Sequence, residues 1–290
     1  MKKISFSLMI FLAIFSSACK APTPKGEIVT VSIVPQKFFV DRISGGDFSV
    51  MVMIPPGHSP ATYEATPAQL RQLSQSALYF RIGHIPFEAA QMDNLRAVNR
   101  AMKVVDTSAG IQLITGEPEK EHGHHGHDHG GIDPHVWLSP EGGKVIARHI
   151  FQALAILKPK RKEVYKKNYE TLLRDIEELD QESRKILAPK RGREFIVFHP
   201  VWTYYGRHYG LKQVPLEIDG KEPGPSHIRA VIDLAKKKNI RAILVQKEFS
   251  THYGEAIAKD IDGKVIVLNP LAENWLDNMK KIALTFKNIL

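Results

Sequence analysis

The sequence predicts an α/β protein of two lobes, each a mostly parallel sheet flanked by helices, joined by one long rigid helix. Three observations carry that prediction. Short β-rich apolar runs alternate with helical stretches from residue 28 onward. The same alternation resumes after residue 190. Between the two stretches, residues 160–188 keep a single apolar stripe at helical spacing over roughly eight turns.

Element by element, strands are expected at Ile28 to Val34, Phe48 to Ile54, Ala77 to Ile82 and Lys103 to Val105, each bounded by Gly, Pro or polar residues. Helices are expected at Gln36 to Ile43 and Pro67 to Ser74, the second with Thr66 as N-cap and Pro67 in the first helical position. A further helix runs from Leu138 to Leu157. Pro159 then opens the long one, whose stripe is Val164, Tyr165, Tyr169, Leu172, Leu173, Ile176, Leu179 and Ile186. The second lobe reads as strands at Phe195 to Phe198, Gln213 to Leu216, Ala242 to Val245 and Val265 to Leu268. It adds a helix from Ser226 to Lys238, with Ser226 as its cap. The divisions are therefore an N-terminal lobe at 27–158, a linker helix at 159–189 and a C-terminal lobe at 190–290. Open α/β sheets take ligands beyond the carboxyl ends of their strands, so the site is expected in the cleft between the lobes.

Residues 1–19 stand outside this fold. Lys2 and Lys3 precede an apolar run from Ile4 to Phe15, and Ser16, Ser17 and Ala18 lead to Cys19. This is the pattern of a secretory signal, too short to span a bilayer. Cys19, the only cysteine, resembles the lipidated cysteine of a bacterial lipoprotein, although Ser16 replaces the usual aliphatic residue. Residues 20–26 read as a tether, so an extracytoplasmic location is expected, with membrane contact only through the lipid. One cysteine excludes an intramolecular disulfide and a thiolate cluster. The net charge of +9 falls to +7 without Lys2 and Lys3, and the lysines are mixed among acids. No nucleic-acid partner is expected.

Three histidines fall just past predicted strands or before a helix. They are His58 in Pro55-Pro56-Gly57-His58, His135 in Asp133-Pro134-His135-Val136-Trp137, and His199 in Phe198-His199-Pro200. Neutral imidazole suits borderline metals, and zinc favours four-coordinate sites of such groups. Asp133 is placed to orient the His135 ring. A separate tract, residues 121–131, holds His122, His124, His125, His127 and His129 among glycines. It cannot pack a core but can collect transition metals.

The run from Met53 to Leu78, the block Asp133-Pro134-His135-Val136-Trp137-Leu138-Ser139-Pro140 and the segment Asn269-Pro270-Leu271-Ala272 resemble the zinc and manganese substrate-binding lipoproteins of ABC importers. The resemblance covers residue 27 to the end. It implies two α/β lobes on one rigid helix, an ABC-type metal permease as partner, a monomer, and no enzymatic activity. Carried over by position, it implies His135 and His199 as ligands. The family's first histidine falls at Ala61 here, so His58 would substitute. Its fourth ligand, an aspartate, falls at Asn269, with His84 and Glu248 as accessory candidates. Three histidines and no second carboxylate imply Zn²⁺ as cargo rather than Mn²⁺. Two other classes stay open from the residues alone: a secreted zinc hydrolase, and a His-rich metal-storage or adhesin surface protein. The first lacks a His-Glu-x-x-His or nucleophile-elbow motif.

Overall fold

The computed structural model describes residues 27–115, 131–217 and 220–290. The leader and tether, Cys19 and the five tract histidines lie outside the described residues.

The first sheet is formed by β1 (Ile28–Ile33), β2 (Ser49–Ile54), β3 (Ser76–Arg81) and β4 (Lys103–Asp106) in the order β2-β1-β3-β4. All of its pairings are parallel. Its helices are α1 (Val34–Ser44), α2 (Pro67–Leu73) and α3 (Pro86–Val98). Thr66 caps α2 as expected: its hydroxyl accepts from the Gln69 N–H at 3.3 Å. After it come α4 (Pro140–Leu157) and the long α5 (Lys162–Leu187). The second sheet repeats the plan. β5 (Glu194–Val197), β6 (Lys212–Pro215), β7 (Ala242–Gln246) and β8 (Lys264–Leu268) lie in the order β6-β5-β7-β8, again all parallel. Its helices are α6 (Thr203–Tyr209), α7 (Pro225–Lys238), α8 (His252–Asp260) and α9 (Trp275–Ile289).

Four of these helices, α3, α6, α8 and α9, go beyond the sequence expectation. Boundaries also move: Pro159 opens only a 3-10 turn, Pro159–Arg161, and the long helix itself starts at Lys162. Val136–Leu138 forms a 3-10 turn, and α4 starts only at Pro140, where the Ser139 hydroxyl accepts from the Gly142 N–H at 3.0 Å. Ser226 does not cap α7. Pro225 already occupies the first helical turn, because its missing N–H and fixed φ suit that position.

The two lobes share one apolar core. It runs from Val29, Val31 and Phe80 of the first sheet through Ile150, Leu172 and Ile176 to Phe195, Trp202 and Phe286 of the second. Only the outer face of the second sheet has a separate cluster, around Ile196, Val231 and Ile257. α9 is the reason for this continuity. It begins against the first lobe, where Trp275 packs on Phe39 with centroids 5.2 Å apart, and ends with Phe286 against Phe195 at 4.7 Å. Together with α5 it makes a spine of two helices, so wide separation of the lobes would expose core.

Candidate metal-binding site

The strand order in each sheet places a switch point between its first and third strands, where a crevice opens at the carboxyl ends. His199 stands there directly. β5 ends at Val197, and Pro200 follows the histidine. Its backbone is bracketed by the buried Gln246 at the end of β7. The amide nitrogen of Gln246 donates to the His199 carbonyl at 2.5 Å, and its oxygen accepts from the His199 N–H at 3.4 Å. Phe249 stacks on the ring, with centroids 5.2 Å apart.

His135 reaches the same crevice from a short loop. The Asp133 N–H donates to the Ile114 carbonyl at 2.8 Å. The Tyr204 hydroxyl of α6 donates to the Asp133 carbonyl at 2.9 Å and accepts from the Ile114 N–H at 3.0 Å. Beyond the histidine, two tryptophans interlock. The Trp137 indole donates to the Pro270 carbonyl at 2.9 Å, and the Trp275 indole donates to the Trp137 carbonyl at 2.7 Å. Glycine is required on the facing turn of α4. A β-carbon at Gly142 would lie 1.9 Å from the Val136 carbonyl oxygen, and one at Gly143 would lie 2.7 Å from the Trp275 ring.

The two rings face each other, with centroids 5.6 Å apart and planes at 78°. Each has a carboxylate on the same ring nitrogen. His135 Nδ1 lies 2.8 Å from Asp133 Oδ1, and His199 Nδ1 lies 3.0 Å from Glu217 Oε2. A carboxylate only accepts, so Nδ1 carries the proton and Nε2 keeps its lone pair. Burial pushes the Asp133 carboxyl up. Its contacts with the His135 ring and backbone N–H, which both donate to it, outweigh that and hold it below the usual range. Asp133 was expected to orient His135. Glu217 escaped sequence reasoning, because only the pairing of β5 with β6 brings residue 217 beside residue 199.

The other candidates do not join this pair. Among the described residues no three His, Cys, Asp or Glu side chains converge closely enough to share an ion. His58 is exposed and stacks on Tyr63 at 5.1 Å, in a loop whose Gly57 has φ 83°. His84 sits in a tight turn with φ 62° after Gly83. Asn269 spends its side-chain oxygen on the Leu271 N–H, 2.8 Å away, which closes its own turn. That oxygen keeps one further lone pair, whose direction the turn sets. Glu248, beside Phe249, is half-buried, and burial pushes its carboxyl up.

Two helix-backed lobes with a carboxylate-braced histidine pair between them define a receptor that binds a transition-metal ion. The model of the zinc-uptake complex component A, periplasmic (ZnuA) family matches residues 29–289, and the chain belongs to that family. It is a receptor of zinc uptake outside the cytoplasm, which works with an ABC importer permease, and it is not an enzyme; its cargo is Zn²⁺. Similar structures include "Crystal structure of ZnuA", at 38% identity and TM-score 0.84, covering 91% of this chain and 99% of that one. A zinc-bound deletion mutant of ZnuA matches at 37% and TM-score 0.83, over 91% and 98%. A putative metal-binding protein of Chlamydia muridarum is 29% identical over the whole of both chains. The high-affinity zinc uptake system protein ZnuA of Bacillus subtilis is 28% identical, over 84% of this chain and 78% of that one. This membership leaves the hydrolase and the storage or adhesin readings without support. Among the described residues no helix is long and apolar enough to cross a membrane.

Proposed function

We propose that His135 and His199 hold the zinc ion through their Nε2 atoms, and that His58 closes over it from loop 55–62 as the third donor. The paired carboxylates carry this reading. Asp133 and Glu217 each fix a ring and its tautomer, which leaves two lone pairs facing one crevice. The separation agrees with it: Zn–N bonds of about 2 Å at a tetrahedral angle put two ring centroids roughly 5 Å apart, close to the 5.6 Å of this pair. Neutral nitrogen donors favour zinc over manganese, which prefers oxygen. The Asn269 oxygen is held by its turn, which favours water or Glu248 over Asn269 in the fourth position. We further infer that the receptor is a high-affinity monomer lipidated at Cys19, with residues 121–131 collecting ions for the main site.

Zinc titration calorimetry on residues 20–290 tests this, beside His135→Ala and a deletion of 121–131. One tight ion is expected, lost in His135→Ala and kept in the deletion. Tight binding that vanishes only with the deletion would make the strand-end histidines structural.

A further inference from the structure

The cations of the first lobe gather at one end. Parallel pairing sets Ile28, Ser49 and Ser76 side by side at the amino edge of the sheet, and Lys103 opens β4 at that edge. α2 and α3 both run back to it, tied by the Asn99 side-chain amide. That group donates to the carbonyls of Leu73 and Ser74 at 3.1 Å and of Ser76 at 2.9 Å. Arg71, Arg96, Arg100 and Lys103 are exposed there. α4 descends to the same edge, where Arg161 pairs with Asp47 at 2.7 Å between the exposed Lys160 and Lys162. Among the described residues the other six take no carboxylate partner. The acids nearby are Glu27, Asp47, Asp93 and Glu163.

A second, independent feature coincides with this charge. Val98, Ile156 and Val164, at 39%, 69% and 41% exposure, are three of the five exposed large apolar residues described. They end α3, end α4 and begin α5, all at this edge. A basic rim around protruding aliphatic side chains is the composition of a surface that meets lipid headgroups.

We propose that this end of the first lobe docks on anionic lipid headgroups and stands the receptor upright on the membrane. The proposal rests on the anchored reading only in that the described chain begins at this edge with Glu27. Residues 20–26, about 25 Å when fully extended, would hold it near a lipidated Cys19. Confinement at that range lets a weak surface attraction act. α4, with 18 residues and about 27 Å long, then sets the height of the histidine pair above the membrane. α5, with 26 residues, carries the second lobe's amino edge about 39 Å away, so that edge stays clear.

The test mixes residues 20–290, which retain the described fold and lack Cys19, with vesicles at low salt. One set is phosphatidylcholine, and the other has phosphatidylglycerol as about a third of the lipid. Sedimentation is expected to show about tenfold more binding to the anionic set, declining with added salt. Arg96→Glu/Arg100→Glu/Lys103→Glu should lower that binding about tenfold. Lys212→Glu/Lys236→Glu/Lys237→Glu makes the same charge change at the far edge of the second lobe and should stay within about twofold. Zinc titration of each variant verifies its fold. Equal binding to both vesicle types overturns the proposal, and so does an equal loss in both triple variants. Fatty-acid labelling of the full chain beside Cys19→Ala tests the anchor separately, so failure of one reading is distinct from failure of the other.

Discussion

At the scale of single residues, the site depends on which ring nitrogen is free. An imidazole without a partner on Nδ1 divides its proton between two positions and turns about its side-chain bond. Glu217 removes both freedoms from His199, as Asp133 does from His135. Glu217 is itself buried. Glu217→Gln keeps the size of the side chain but replaces a charge-assisted acceptor with a neutral amide. Its zinc affinity should fall by about 10- to 100-fold, with little change in unfolding temperature. Calorimetric titration and thermal unfolding on one sample check both halves. An unchanged affinity would show that His199 needs no brace.

At the scale of elements, the His135 loop is held less by its own residues than by what crosses it. The 3-10 turn at Val136–Leu138 lies between α4 and α9, and each tryptophan indole donates to a carbonyl of the opposite segment. Trp275→Phe keeps an aromatic ring beside Phe39 but removes the outer ring next to Gly143 and the indole donor to the buried Trp137 carbonyl. Leaving that acceptor unpaired should cost about 1–3 kcal/mol, visible in denaturant midpoints. A midpoint equal to that of the unchanged protein would mean that another donor takes over. Thr66 illustrates the opposite case, a cap whose partners lie three residues away and are therefore local.

At the scale of the whole molecule, one buried carboxyl couples stability to pH. Glu88 on α3 accepts from the Ile82 N–H at 2.7 Å and the Gly83 N–H at 2.8 Å, and hydrogen-bonds the Ser32 hydroxyl at the end of β1. Burial pushes its carboxyl from 4.5 up to about 7, against the pull of those hydrogen bonds. For an acid raised in this way, the contribution to stability is complete below pH 4.5 and is lost as pH rises through about 7. The loss is on the order of 3 kcal/mol. Glu88→Gln cannot ionise, so its stability should be level across that window. Urea unfolding at intervals from mildly acid to neutral pH reads the difference, and an unaltered slope in the variant would falsify the assignment. Asp47, Asp133 and Asp180 are held below their usual range and act in the opposite sense, losing stability only as pH falls below about 4.

The strands were legible because their apolar runs are short and bounded, and α5 because its stripe repeats at one period for its full length. α9 has a comparable stripe in Trp275, Met279, Ile282 and Phe286, yet it passed unread among short apolar runs. His135 and His199 were visible as strand-end or helix-start residues, and Asp133 was visible because it is two positions away. Those are properties of local chemistry and spacing, which sequence alone determines. Glu217, Gln246, Tyr204 and the tryptophan interlock were not visible, since their partners lie from 18 to 138 positions away. Asn269 read as a weak ligand, and only the fold committed its oxygen to a turn. Sequence decided that this chain makes two parallel-sheet lobes and carries metal-binding side chains. Tertiary structure decided which of those side chains meet, because a ring's orientation and free lone pair are set by groups that only folding brings within hydrogen-bond range.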